Sequence, residues 1–219
     1  MPHSLSASTL SLFKDCPRCF WMHLRKKIKR PQGIFPSLPS GIDLVLKEHF
    51  DSYSKIGALP PELSNIEGKV QLFDDEKLLA KWRDFRSGLI WKDGTGNVLR
   101  GALDNLLVED GDFIVLDYKT RGYPRKDDTH TYYQHQLDIY NLLLQKNGFP
   151  TKNYAYLLFY HPINIGANGH FTFQADLVKV NVQVRNAVEL FEKALQTLDG
   201  QKPESSEQCS FCNWAKMHK

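Results

Sequence analysis

The four cysteines of this chain fall into two Cys-x-x-Cys pairs, Cys16-Pro17-Arg18-Cys19 near one end and Cys209-Ser210-Phe211-Cys212 near the other. Two such pairs supply four thiolates able to converge tetrahedrally on zinc or on an iron–sulfur cluster. The fold must then bring residues 1–30 and 200–219 together. The resulting clip closes a loop of about 190 residues, which restricts the unfolded chain and gives the cysteines a structural role. Residues 1–13 carry neither the basic flank nor the long apolar stretch of a secretory signal, so a reducing, cytoplasmic setting is expected, in which disulfides are disfavoured.

Between the pairs lies enough chain for a sizeable core. The 219 residues are 42% hydrophobic and 24% charged, which excludes collagen-like, low-complexity and wholly disordered chains. The apolar runs are too short for a membrane span, which takes about 20 residues. The formal charge of +3 is too small to identify a nucleic-acid binder, so local patches must carry that argument. One is Arg25, Lys26, Lys27, Lys29 and Arg30, which reads as a solvated helix end or a phosphate-contacting patch. Trp21 beside Arg25, and Tyr123 between Arg121 and Arg125, are candidate strand contacts, with Trp21 also suited to the core.

Helical spacing runs over residues 4–29, broken near Pro17, with Ser6 or Ser8 as cap. Further helical patterns follow at 41–53 and around 76–87, separated by Pro-rich loops at 31–40 and 60–61, so the first ninety residues read as helix and loop. Residues 131–146 and 182–198 are helical in pattern, and 154–160 and 171–180 read as strands.

The middle of the chain changes period. Residues 98–108 and 113–118 flank Glu109-Asp110-Gly111-Asp112, and Asp-Gly is a strong hairpin signal. A type I′ turn at Asp110-Gly111 puts Glu109 opposite Asp112, Leu106 opposite Val115 and Asp104 opposite Asp117. Alternation adds Lys119 to the same face, roughly 7 Å along the strand from Asp117. Leu106, Val108, Phe113 and Val115 make one apolar face and Leu103, Leu107, Ile114 and Leu116 the other, which predicts central strands covered on both sides. Facing carboxylates destabilise a sheet unless a cation or solvent compensates. Mg²⁺ or Mn²⁺ fits that need, because hard divalent ions take one or two carboxylates and keep positions for water and phosphate. An adjacent ammonium can orient or help deprotonate an attacking water and offset charge growing on a scissile phosphate. The chemistry is that of phosphodiester hydrolysis.

The runs Gly101-Ala102-Leu103-Asp104, Asp117-Tyr118-Lys119-Thr120 and Gln136-Leu137-Asp138-Ile139-Tyr140 resemble the PD-(D/E)XK nuclease superfamily in its RecB-like branch. The resemblance implies a restriction-endonuclease-like α/β fold, with a mixed central sheet flanked by helices and the termini joined by the four-cysteine site. It reads the chain as one domain, 1–219, with a cysteine subregion at 1–30 and 200–219 and a helical insertion at 31–95. It assigns metal binding to Asp104 and Asp117, catalysis to these with Lys119, and positioning of lysine or substrate to Gln136 and Tyr140, which share a helix face at i, i+4 spacing. The family's further ligand, four residues after an early glycine, is missing. Four after Gly41 stands Val45, and Asp43, Glu48 and His49 are off the spacing.

Ser6-Ala7-Ser8-Thr9-Leu10 through Cys16-Pro17-Arg18 is also similar to the N-terminal segment of CRISPR-associated RecB-like exonucleases and AddB-type nuclease domains. Those join one N-terminal and three C-terminal cysteines around an iron–sulfur cluster. Here the split is two and two, with Met217 and His218 where a last cysteine is expected. The resemblance implies iron and sulfur at Cys16, Cys19, Cys209 and Cys212, while the symmetric spacing suits zinc equally. It further implies DNA as substrate, exonucleolytic or end-directed cleavage, and a helicase or a CRISPR-adaptation or recombination assembly as partner. The chain has no phosphate-cradling G-x-x-x-x-G-K-[ST] loop of its own. Two rivals stand beside this reading: a non-catalytic DNA-binding or assembly module, and a redox protein using a Cys-x-x-Cys pair.

Overall fold

The computed structural model describes residues 2–34 and 36–217. In chain order they form β1 (Ser4–Ser6), α1 (Ala7–Asp15), α2 (Pro17–Lys26), α3 (Ser37–Lys55), β2 (Val70–Leu72), α4 (Glu76–Arg83), β3 (Leu89–Lys92) and β4 (Val98–Gly101). The central hairpin β5 (Asn105–Glu109) and β6 (Asp112–Thr120) follows, then α5 (Gln134–Lys146), β7 (Tyr154–Ile165), β8 (Phe171–Asn181), α6 (Val184–Asp199) and α7 (Ser210–Met217).

The Asp-Gly turn organises the main sheet. Asp110 and Gly111 both take left-handed backbone angles, φ 53° and 86°, as a type I′ turn requires and as Asp and Gly tolerate well. The register follows, with Glu109 opposite Asp112 and Leu106 opposite Val115. The hairpin sits inside a five-stranded sheet ordered β2-β5-β6-β7-β8. Only β6 and β7 run parallel in it, and α5 is their crossover, as parallel pairing demands. The sheet is mixed and covered on both faces. Leu106, Val115, Ala155, Leu157 and Phe159 face one core, shared with α1, α2, α5 and α6. Leu107, Ile114, Leu116, Tyr118 and Leu158 face a second, shared with Leu46 and Phe50 of α3. Leu103 belongs to the first core and not to the face of Leu107, because it precedes β5 and has left the alternation.

Several elements differ from expectation. Residues 4–6 are not the start of a helix: they pair in parallel with β4, burying Leu5. Ser6 then caps α1 reciprocally, its hydroxyl accepting from Thr9 N–H and the Thr9 hydroxyl accepting from Ser6 N–H at 2.7 Å. The apolar run 98–108 is two strands in two sheets, since β4 joins β1 and β3 in a small second sheet before the chain bends through residues 102–104. β1, β2 and the start of β3 lie within the first ninety residues, where periodicity predicts helix and loop; strands of three or four residues are too short to show a period. α3 also begins four residues before the expected start, with Pro39 accommodated in its first turn.

α5 is enclosed nearly all round. Every residue from Leu137 to Leu144 is buried, because the helix packs on β6, both hairpin strands of the small sheet, α1 and α6. No described helix is long and apolar enough to cross a membrane.

Candidate functional site

Asp104 lies one residue before β5, so the ladder ends at Asn105 opposite Leu116 and the two aspartates meet just beyond it. Asp104 Oδ2 accepts the N–H of Tyr118 at 3.1 Å, which turns its carboxylate across the end of the hairpin towards Asp117. Its backbone carbonyl accepts Arg83 Nε at 2.7 Å, and the same guanidinium grips Asp51 in a two-pronged pair at 2.7 and 2.8 Å. α3 and α4 thus clamp the bend that presents Asp104. Spacing alone gave no sign of this clamp, because residues 51, 83 and 104 are distant in sequence.

Asp117 sits in β6 between the hairpin partner and the parallel strand β7, and only 1% of it is exposed. Burial raises its carboxyl well above the usual range; Lys119 pulls the other way and Asp104 adds to the rise. The Lys119 ammonium is in direct contact with Asp117 Oδ2 and lies over the Tyr133 ring, 4.9 Å from its centroid. Burial lowers the Lys119 pKa, but Asp117 and Asp104 outweigh it and the net shift is upward. Two acids and one ammonium therefore share one face at the carboxyl end of a parallel strand, next to its crossover, where open α/β sheets place their ligands.

Gln136 and Tyr140 do share a face of α5. Gln136 Nε2 donates to the Tyr140 hydroxyl at 2.7 Å and lies 3.3 Å from Asp117 Oδ1, so the helix is tied to the acidic pair through one amide. Gly101 makes this approach possible. A Cβ there would stand 2.9 Å from Tyr140 Cε1 and 2.9 Å from Leu143 Cδ1, both in the packed core.

The early-helix position is not filled by an acid or a histidine. Val45 is 64% exposed, Glu48 points to solvent, and His49 pairs with Glu62 at 3.1 Å. Lys47 instead reaches the site, its Nζ 2.6 Å from Asp43 Oδ2 and 3.2 Å from Asp104 Oδ1. Burial lowers the Lys47 pKa, but Asp104 and Asp43 outweigh it and raise it overall. The Asp43–Lys47 spacing was visible in the sequence, but not that α3 covers Asp104.

A cavity of about 370 Å³ opens beside Gln136 and Tyr140, lined also by Ser6, Ser8, Ser11 and Arg100. Beyond Lys119 the chain leaves β6 as a loop carrying Arg121, Tyr123 and Arg125. Tyr123 is 81% exposed, and the Nε atoms of both arginines are buried without a hydrogen-bond partner. Trp21, by contrast, is a core residue whose indole donates to Gly200 O at 3.3 Å.

The cysteines converge as their spacing demanded. All four sulfurs lie within 4.8 Å of one another. Cys16 stands at the junction of α1 and α2, Cys19 in α2, Cys209 just before α7 and Cys212 within it. Burial alone would raise the Cys16 thiol, but N–H groups of Cys19 and Ser206 and neighbouring sulfurs bring it down to about 6. Arg30, from the basic run, donates to Cys209 Sγ at 3.4 Å, pairs with Asp15 and covers the Phe211 ring. His218 lies outside the described residues.

A search among curated proteins returns no significant match. A family model described as the PD-(D/E)XK nuclease superfamily matches residues 61–217, a span that holds Asp104, Asp117, Lys119, Gln136, Tyr140 and the second cysteine pair.

Proposed function

This chain belongs to the PD-(D/E)XK nuclease superfamily, and from that premise we propose that it is a Mg²⁺- or Mn²⁺-dependent deoxyribonuclease acting exonucleolytically, on single strands or ends. The observation that carries this reading is the Asp104 carboxylate held at the Tyr118 N–H, beside the buried Asp117–Lys119 pair.

The donor set suits a hard divalent ion. Two carboxylates are crowded together, one of them almost fully buried with a raised pKa, and such a pair is relieved by added positive charge. Asp104 and Asp117 would hold the ion. A metal bound there supplies Lewis-acid activation of water and neutralisation of the phosphate. The remaining work falls to side chains. Lys119 presents an N–H donor to the attacking water or to the phosphoryl oxygen that gains charge, and Asp117 fixes where that ammonium points. Gln136 restrains Asp117 and links it to Tyr140, which lines the adjoining cavity. Arg100 in that cavity, with Arg121 and Arg125 on the loop after β6, provides cations for a sugar-phosphate strand, and exposed Tyr123 a ring for a base. The cysteine centre closes the domain by tying α2 to α7 and stands apart from this chemistry. A duplex-opening motor is a separate partner in this reading, since the chain has no nucleotide-cradling loop.

Lys47, which reaches Asp104 from the helix whose expected ligand position holds Val45, favours a second reading in which the domain binds DNA and assembles without cleaving it. Incubation of labelled single- and double-stranded DNA with Mn²⁺ separates the two. Cleavage abolished in Asp117→Asn and Lys119→Met, with far-UV circular dichroism retained, supports the nuclease. Binding without cleavage, or equal residual cleavage in both variants, rejects it.

A further inference from the structure

The family resemblance implies an iron–sulfur cluster at the four cysteines, and the sulfur positions do not fit one. Cys19 Sγ is 3.6 Å from Cys209 Sγ and 3.5 Å from Cys212 Sγ, and Cys212 Sγ is 3.9 Å from Cys16 Sγ. These three contacts link all four sulfurs in a single series. A four-iron cubane puts each cysteine on its own iron, with iron and sulfide between every pair of thiolates. A two-iron cluster leaves two separate close pairs, which cannot form a connected series. One tetrahedral ion does produce this pattern: with Zn–S bonds of about 2.3 Å, the edge of a regular tetrahedron is about 3.8 Å.

We propose that Cys16, Cys19, Cys209 and Cys212 hold a single zinc ion as a closed tetrathiolate, with Arg30 as its positioning residue. Four thiolates around a divalent ion carry two net negative charges, and the surroundings answer them. Arg30 donates to Cys209 Sγ, Arg18 and Lys29 line the adjacent cleft with Lys216, and N–H groups of Cys19 and Ser206 address Cys16. Part of the basic run at 25–30 thereby serves the metal and not a phosphate backbone. The site has no place for substrate, since all four ligands come from the protein and Cys16 and Cys209 are buried.

The test uses the whole protein, expressed with both iron and zinc in the medium and purified without oxygen. One zinc per chain, no acid-labile sulfide and no visible colour are expected, and cobalt exchanged into the site should show the intense visible bands of a tetrahedral tetrathiolate. Arg30→Gln should keep the zinc but lose it to a chelator roughly 10-fold more readily, as outer-shell partners do. Iron with labile sulfide, iron alone, or folded protein without metal would each overturn the assignment. All of these readouts are independent of cleavage, so a failed nuclease assay leaves the test intact.

Discussion

Lys47 Nζ stands 3.2 Å from Asp104 Oδ1 while the Tyr118 N–H occupies Oδ2, so both oxygens of this carboxylate already face a donor. A divalent ion bound by Asp104 must share it with an ammonium, and like charges that close repel. Lys47→Gln should therefore bind Mn²⁺ more tightly, by roughly 10-fold for about 1.4 kcal/mol of relieved repulsion. Titration followed by electron paramagnetic resonance measures this directly. Unchanged or weaker binding would show that Lys47 supports the ion and does not compete with it.

Arg83 holds the Asp104 carbonyl and Asp51 with the same planar fork. Lysine keeps the charge but cannot serve both partners in that geometry. Arg83→Ala should cost about 2 kcal/mol in urea unfolding with an unchanged m value, through an unpaired Asp51 and a freed carbonyl. Arg83→Lys should lose less stability and nearly as much cleavage. A lysine variant with full activity would separate the clamp from the site.

At Gly101 the limit is space. An alanine methyl must displace Tyr140 or Leu143, both buried, and Tyr140 carries the hydrogen bond from Gln136. Overpacking of this kind costs about 1–3 kcal/mol. Gly101→Ala should reduce both stability and cleavage, whereas Gly94→Ala, with nothing within 4 Å of the new methyl, should change neither. Thermal melts and turnover measured side by side settle the comparison.

His135 gives the fold an acid sensitivity outside the carboxylate cluster. Its ring contacts Ser11 Oγ at 2.7 Å, and burial, with Lys14 assisting, lowers its pKa to about 4. Between pH 6.5 and 4 the unfolded chain then binds more protons at this residue than the folded one, so its contribution to stability falls as pH drops. The stability of wild type measured against His135→Gln should therefore fall steadily on acidification through that window, shifting the balance towards the variant. A difference that is flat with pH would mean the folded imidazole titrates normally.

Arg121 and Arg125 should act on binding more than on chemistry. Each phosphate contact on a single strand contributes about 0.7 to the slope of log affinity against log salt. The double alanine variant should thus lower that slope by roughly 1 to 1.5 in fluorescence anisotropy and leave turnover at saturating DNA nearly intact. An unchanged slope would move the strand away from this loop.

Local chemistry made the hairpin readable. Asp-Gly admits two successive left-handed residues, so its register and the meeting of Asp104 with Asp117 followed from counting, as the pairing of Gln136 with Tyr140 followed from the helical repeat. The matched Cys-x-x-Cys pairs required the two ends to meet because four thiolates converge only if the chain brings them together. What the residues could not announce was which distant element covers which. Lys47 on Asp104, Arg83 on its carbonyl and Gly101 against Tyr140 are contacts across more than twenty residues, set by how α3, α4 and α5 pack on the sheet. The same holds for β1 and β2, three residues each, which are strands only because a neighbour offers them hydrogen bonds. The number of metal ions the four sulfurs can share also depends on their mutual distances, which the spacing of cysteines along the chain does not fix. Spacing along the chain determined the chemistry within one turn or one helix face, whereas packing between elements, whose free energy depends on the whole core, decided the rest.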